Sequence, residues 1–334
     1  MPNPSAGSAN PAASLSSLWG YILPALNHIV RSPTNSTDKA PAIDISYHMG
    51  IHTATYNYFT TQSDSCNPRS PIPDKEIPSG TDLYEHIDRY YAGVARELLL
   101  GAPEEDSADL IHYLLPCFQR YAVGANSVNR LLNYVNRHYV KRAVDEDRGW
   151  LTLGDIFDAV SKNIEAGDTR QKIAQKLRER RTEELAKWGT IAGPPDHREQ
   201  AERLASAETC AEAASSLDRV VPLYALALRR FRTEFMEPLL AVPKIKSKKK
   251  RGAGAAVQAL PSTNGSGPPN LPKGRLSRAY KDLQDSEDIG PEEKRRLTGD
   301  LAQLLRAVGV RHGHPVRKRL DKYLINGPSS HPTT

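Results

Sequence analysis

Apolar residues recur at every third or fourth position along nearly the whole chain, and nowhere do they alternate over the length of a strand. That pattern constrains the fold most. A helix returns to the same face every 3.6 residues, whereas a half-buried strand needs period two. Leu15, Leu18, Trp19, Ile22, Leu26 and Ile29 form a first stripe, with Pro24 inside it. Ile43 to about Thr61 predicts a second helix, although β-branched Thr53, Thr55, Thr60 and Thr61 weaken its intrinsic preference. The third stripe is Leu83, Ile87, Tyr90, Tyr91, Val94 and Leu98, with Thr81 and Asp82 as N-cap candidates and Gly101 and Pro103 as the stop. A fourth helix carries Ile111, Leu114, Leu115 and Phe118, with Pro116 expected to bend it. A fifth carries Val128, Leu131, Leu132, Val135 and Tyr139. The expected fold class is all-α.

The texture changes at Trp150. Ile156, Val160 and Ile164 predict a short helix, and Asp168 to Trp188 is dense in Arg, Lys and Glu. His197 to Ser216 is rich in Ala and Glu. This stretch reads as a solvent-exposed helical insertion. Core-like spacing returns at Val220, Tyr224, Ala227, Leu228, Phe231 and Phe235. Pro243 to Pro272 has the composition of a flexible basic linker. Three more helices follow: Leu276 to Leu283, a second opened by Pro291 at N1, and Pro315 to about Ile325. Residues 1–13 and 327–334 read as tails, and Ser63 to Gly80 as a loop.

Composition removes several function classes. Cys66, Cys117 and Cys210 form no C-x-x-C pair, which argues against a disulfide framework and against a Cys/His zinc-RING within these residues. No run of 18 apolar residues predicts a membrane span. The net charge of +6 is local, because Lys244, Lys246, Lys248, Lys249, Lys250 and Arg251 stand in one block and the remainder is nearly neutral. That block has the composition of a nuclear-import signal or of a merely solvated linker. Binding of nucleic acid through it, by a nuclear helical protein, is the alternative reading of the chain.

Three stretches carry a resemblance. Tyr56-Asn57-Tyr58 lies in the second helix. Asn133-Tyr134-Val135-Asn136-Arg137-His138-Tyr139-Val140-Lys141-Arg142, followed by Asp145-Glu146, lies in the fifth. Leu223-Tyr224-Ala225-Leu226-Ala227-Leu228, with Phe231-Arg232 and Pro238-Leu239, comes later. Together they resemble the N-terminal, cullin-repeat region of the cullin family, over about Leu15 to Asp147 and less closely over Val220 to Ile325. The resemblance implies a stalk of five-helix repeats. Residues 14–147 would be the first repeat, 148–219 an insertion, and 220–326 a truncated start of the second, interrupted by 243–272. It implies a non-catalytic scaffold for ubiquitin-dependent degradation in cytoplasm and nucleus, without a cofactor. A Skp-type or BTB-type adaptor carrying an F-box or similar receptor would be the partner, and no RING subunit is expected on these residues.

The family's adaptor surface carries over to His48, Met49 and His52 of the second helix and to Asn126, Ser127, Arg130 and Tyr134 of the fifth. Where the family commonly has tyrosines in the second helix, this chain has His48 and His52. Ser127, Arg130 and Tyr134 are expected on the face opposite the apolar stripe, and Tyr56 and Tyr58 as packing residues with satisfied hydroxyls. His48 and His52 have a zinc-like i, i+4 spacing, but H-M-G-I-H lacks the Glu of H-E-x-x-H and any third ligand, so no metal is expected. Arg137 and His138 are expected to tie the fifth helix to its neighbours and to Asp145 or Glu146, since no nucleophile accompanies them.

Overall fold

The computed structural model of the protein describes residues 10–32, 36–65, 80–165, 167–189, 197–242 and 274–326. Most of both expected tails, most of the Ser63–Gly80 loop and the Lys244–Arg251 block lie outside these residues. The described residues are helical throughout and contain no strand, so the chain is all-α. One buried apolar cluster runs from Ala12 to Leu320.

Helix α1 (Leu15–Leu26) starts at Ser14, whose hydroxyl accepts from Ser17 N at 3.1 Å. Pro24 does not split it. The helix continues and widens into a π turn over Asn27–Arg31. Helix α2 (Ile45–Ser65) and α3 (Thr81–Leu100) pack beside it. Helix α4 (Ala108–Leu131) runs unbroken through Pro116. Leu110, Ile111, Leu114, Leu115, Cys117 and Tyr121 are buried on both sides of the proline, and this packing holds the rod together across the lost hydrogen bond. The break comes at Leu132, with φ −101° and ψ 27°. Beyond it α5 (Asn133–Val135), a π turn over Asn136–Val140 and α6 (Lys141–Asp145) follow directly. The expected fourth and fifth helices are therefore one long, once-broken rod.

The segment between α6 and α10 (Leu223–Phe231), read from the sequence as an insertion, leaves and rejoins at one point, where Val220 N donates to Arg148 O at 2.9 Å. It holds α7 (Leu153–Val160), α8 (Arg170–Ala186) and α9 (His197–Ala214). The expectation of a solvent-exposed segment fits α8, where Leu185 alone is buried. It fails for the end of α9, whose Ala207, Cys210, Ala211 and Ala213 are buried. The Ala/Glu composition misleads here, because alanines let α9 approach α10 and α13 (Pro291–Ala307) closely. Arg229 of α10, itself buried, donates to Ser216 O and Arg219 O, both at 2.8 Å, and so fastens the returning strand of chain.

Helix α10, read from the sequence as the opening of a second repeat, packs across α3 and α4. Tyr121 Oη donates to Ala227 O at 2.9 Å, and Tyr84 Oη to Val221 O at 3.0 Å. Arg230 pairs with Asp88. A π turn and α11 (Glu237–Leu240) prolong it. The chain then leaves near Leu240 and returns at Gly274, which lies so close that a Cβ there would stand 2.6 Å from Leu240 O. Helices α12 (Arg275–Asp285), α13 and α14 (Pro315–Asn326) complete the structure. Arg275 and Arg278 both bond Asp106, in the α3–α4 connection, at 2.7 Å.

Candidate docking face

Two faces divide α2. Tyr47, Ile51, Ala54, Thr55 and Tyr58 are buried. Tyr47 Oη donates to Tyr21 O at 2.6 Å, and Tyr58 Oη donates to Asp82. Burial pushes the Tyr47 phenol up to about 12, so this bond persists at any physiological pH. On the opposite side Ile45, His48, Met49, His52 and Tyr56 are exposed, Met49 by 57% and Tyr56 by 47%. Ile45, Met49, His52 and Tyr56 fall at i, i+4, i+7 and i+11, a second stripe that no helix of the described residues covers.

Tyr134 of α5 closes this face along one edge. Its ring meets His52 at 6.0 Å, Tyr56 at 5.6 Å and Phe59 at 5.3 Å, all edge-on, and stacks on His138 at 4.0 Å. Edge-to-face pairs at such distances are favourable and specific in geometry. Desolvation, with the Tyr56 phenol beside it, raises the Tyr134 phenol above its ordinary value. The expectation that Tyr134 stands clear of the core is corrected: it is half-buried and packs against the core cluster. Tyr58 packs and bonds as expected, but Tyr56 belongs to the exposed stripe. His138 and Arg137 do not pair with Asp145 or Glu146; Arg142 and Arg148 take Glu146.

Of the residues carried over from the resemblance, His52 and Tyr134 come into ring contact, with His48 and Met49 on the same exposed side of α2. Asn126, Ser127 and Arg130 lie on the last two turns of α4. Asn126 and Arg130 are exposed and Ser127 half-buried, and no ring contact joins them to the aromatic cluster. Between them Asn129 is structural. Asn136 donates to it at 2.8 Å, while Asn136 and Asn129 accept from Leu223 N and Tyr224 N, pinning the rod to α10. Sequence reasoning missed Ile45, Tyr56, Phe59 and His138. The i, i+4, i+7, i+11 recurrence opposite Tyr47, Ile51, Ala54 and Tyr58 was the available signal. Among the described residues no group of three His, Cys, Asp or Glu side chains stands where it could hold a metal ion. None of their helices is long and apolar enough to cross a membrane.

The α2 stripe is thus an exposed surface edged by an aromatic cluster on the neighbouring rod. The chain is 25% identical over 135 residues to cell division control protein 53 of Saccharomyces cerevisiae, which covers 38% of this chain and 16% of that protein. The likeness is to cullins. To cullin-1 of Dictyostelium discoideum the chain is 20% identical over 104 residues, 30% of this chain and 14% of that one. The cullin-like match thus spans less than a fifth of either relative. No protein-family profile matches the chain, and no solved structure matches it.

Proposed function

We propose that this cullin-like chain is a non-catalytic scaffold in ubiquitin-dependent protein degradation. Its α2/α5 face would dock a Skp-type or BTB-type adaptor that carries an F-box or similar substrate receptor. The observation that carries the reading is the apolar stripe Ile45, Met49, His52 and Tyr56, left exposed and edged by Tyr134 and His138. Exposed aromatic and methionine side chains grouped over a rigid base are the usual composition of an interface centre. The cullin-like similarity supports the choice of partner class. Residence in cytoplasm and nucleus belongs to the same proposal.

The test is direct binding to a purified Skp-type adaptor in complex with an F-box protein. Met49→Asp places a charge at the centre of the stripe while leaving the buried face of α2 intact. It should weaken binding by about 2 kcal/mol or more, the loss typical of a central contact. Wild-type protein that does not bind, or a variant that binds equally well, would refute the docking assignment.

A further inference from the structure

Charge is distributed unevenly around the α2/α5 face. From Leu110 to Val144 the chain carries no Asp or Glu, yet it carries Arg120, Arg130, Arg137, Lys141 and Arg142. From Ile45 to Gln62, α2 carries no Asp, Glu, Lys or Arg. Arg130, Arg137 and Lys141 are exposed, and none has an ion-pair partner among the described residues. These cations are continuous with the face. Met49, His52 and Tyr56 share one side of α2, His52 and Tyr56 meet the Tyr134 ring, and Tyr134 stacks on His138. Arg137 adjoins His138, Lys141 follows it by three residues, and Arg130 precedes Tyr134 by four. The row from Arg130 to Lys141 is about 16 Å long at helical rise, so it borders the aromatic cluster along the rod.

Three imidazoles stand in the same place: His48 and His52 on α2 and His138 on the rod, all exposed. The titratable and charged groups beside them are Tyr56, Tyr134, Arg130, Arg137 and Lys141. Helix α1, which packs on α2, brings no charged residue. Asp44 lies one turn before His48 but is engaged at the start of α2, where it accepts from Ser46 N at 2.8 Å. Asp82 of α3 meets α2 on its buried side, through Tyr58. The acids of the rod begin at Asp145, one turn beyond Lys141, and Glu146 is taken by Arg142 and Arg148. Between Arg130 and Lys141 the border is therefore cationic, and it gains charge when the imidazoles protonate.

We infer that the partner docking on α2 and α5 presents an apolar centre bordered by aspartate and glutamate, and that docking tightens as the histidines protonate. The inference rests on the docking proposed above. It adds the charge of the partner's surface and a dependence on pH. Ile45, Met49 and Tyr56 supply apolar area, while Arg130, Arg137 and Lys141 set orientation and speed encounter. The apolar and aromatic centre marks a protein partner, because binding to a phosphate backbone rests on lysine and arginine alone. Partner carboxylates stay ionised at about pH 6, where an imidazole ordinarily gains its charge. A carboxylate brought close favours the charged imidazole, so docking takes up protons and affinity rises as pH falls.

The experiment measures binding of a purified Skp-type adaptor–F-box complex at about pH 7.5 and about pH 6, each at low and high salt. Wild type is compared with Arg137→Glu/Lys141→Glu, His48→Gln/His52→Gln/His138→Gln and Met49→Asp, with far-UV circular dichroism on each at both pH values. Wild type should bind several-fold more tightly at the lower pH and several-fold more weakly at high salt. The Arg137/Lys141 variant should bind about tenfold more weakly at low salt and approach wild type at high salt, with an unchanged spectrum because both side chains are exposed. The histidine variant should lose most of the pH response and keep the salt response. If charge reversal leaves affinity unchanged or raises it while Met49→Asp lowers it, the acidic border is overturned and the α2/α5 face stands. A loss on charge reversal with no pH response in wild type overturns the histidine part. If wild type fails to bind at either pH, both readings fall. A duplex oligonucleotide that binds wild type but not the Arg137/Lys141 variant would assign these cations to phosphate and overturn the inference.

Discussion

Replacing Gly309 by alanine should destabilise the protein by about 2–5 kcal/mol, while the same change at Gly299, within the helix that precedes it, should not. Gly309 follows α13 at φ 78°, and a Cβ there would lie 2.5 Å from Ala214 N and 2.7 Å from Ala214 Cα. The left-handed conformation alone costs an alanine about 1–2 kcal/mol. Forcing a methyl group against backbone adds about 1–3 kcal/mol, because α9 must move away from α13. Gly299 lies inside α13 with nothing within 4 Å of its would-be Cβ, so alanine there should raise stability by about 0.5–1 kcal/mol through helix preference. Urea unfolding followed by circular dichroism gives both values, with unchanged slopes if only stability has moved. Hydrogen exchange should show the loss of protection in Gly309→Ala concentrated at the end of α9. If Gly309→Ala falls within 0.5 kcal/mol of wild type, the end of α9 is not docked on α13 and the insertion is no part of the core.

Three further outcomes are expected. Burial, with Glu208 as a like-charged neighbour, pushes the half-buried Glu212 carboxyl up from 4.5 to about 8 against the opposing pull of Arg181 and Arg229. Protonation therefore favours the fold. The benefit is complete below about pH 4.5 and is lost as pH rises toward about 8, so Glu212→Gln should exceed wild type in stability at pH 8.5 by a few kcal/mol; equal melting curves at that pH would refute it. Tyr134→Ala removes a ring in contact with four others and should cost about 2 kcal/mol of folding stability in urea titration, besides any loss of binding. Because the chain leaves near Leu240 and returns beside it at Gly274, replacing residues 243–273 by four Gly/Ser residues should stabilise by about 1–2 kcal/mol through loop-closure entropy. A lower urea midpoint would show that the segment contributes contacts.

The helical stripes were legible because each is a local property. Leu83 to Val94 and Val128 to Tyr139 bury the side chains that the spacing marks, and Leu98 is half-buried against them. What packs on each stripe was not legible, since the partner is remote in sequence. Pro116 shows this in one direction, its local effect outweighed by burial along α4. Helix α10 shows it in another: nothing within Leu223 to Phe231 reveals that Tyr84 and Tyr121 supply its hydrogen bonds. The docking face was half legible. His52 and Met49 came from the resemblance, but Ile45 and Tyr56 were hidden because α2 carries two apolar stripes, and periodicity alone does not say which one is covered. Alanine-rich α9 misled for the opposite reason, because small side chains suit solvent and close helix contact equally well.

The pairing of Tyr84 with Val221 spans 137 residues, and helices α4 to α9 are translated between them. At ordinary elongation rates the ribosome takes roughly 7–27 s to cover that distance. For the last 90 residues of it the nascent chain has made α3 and α4 but not the segment whose Val221 and Ala227 carbonyls accept from Tyr84 and Tyr121. Those two hydroxyls therefore wait for acceptors that the ribosome delivers long after them.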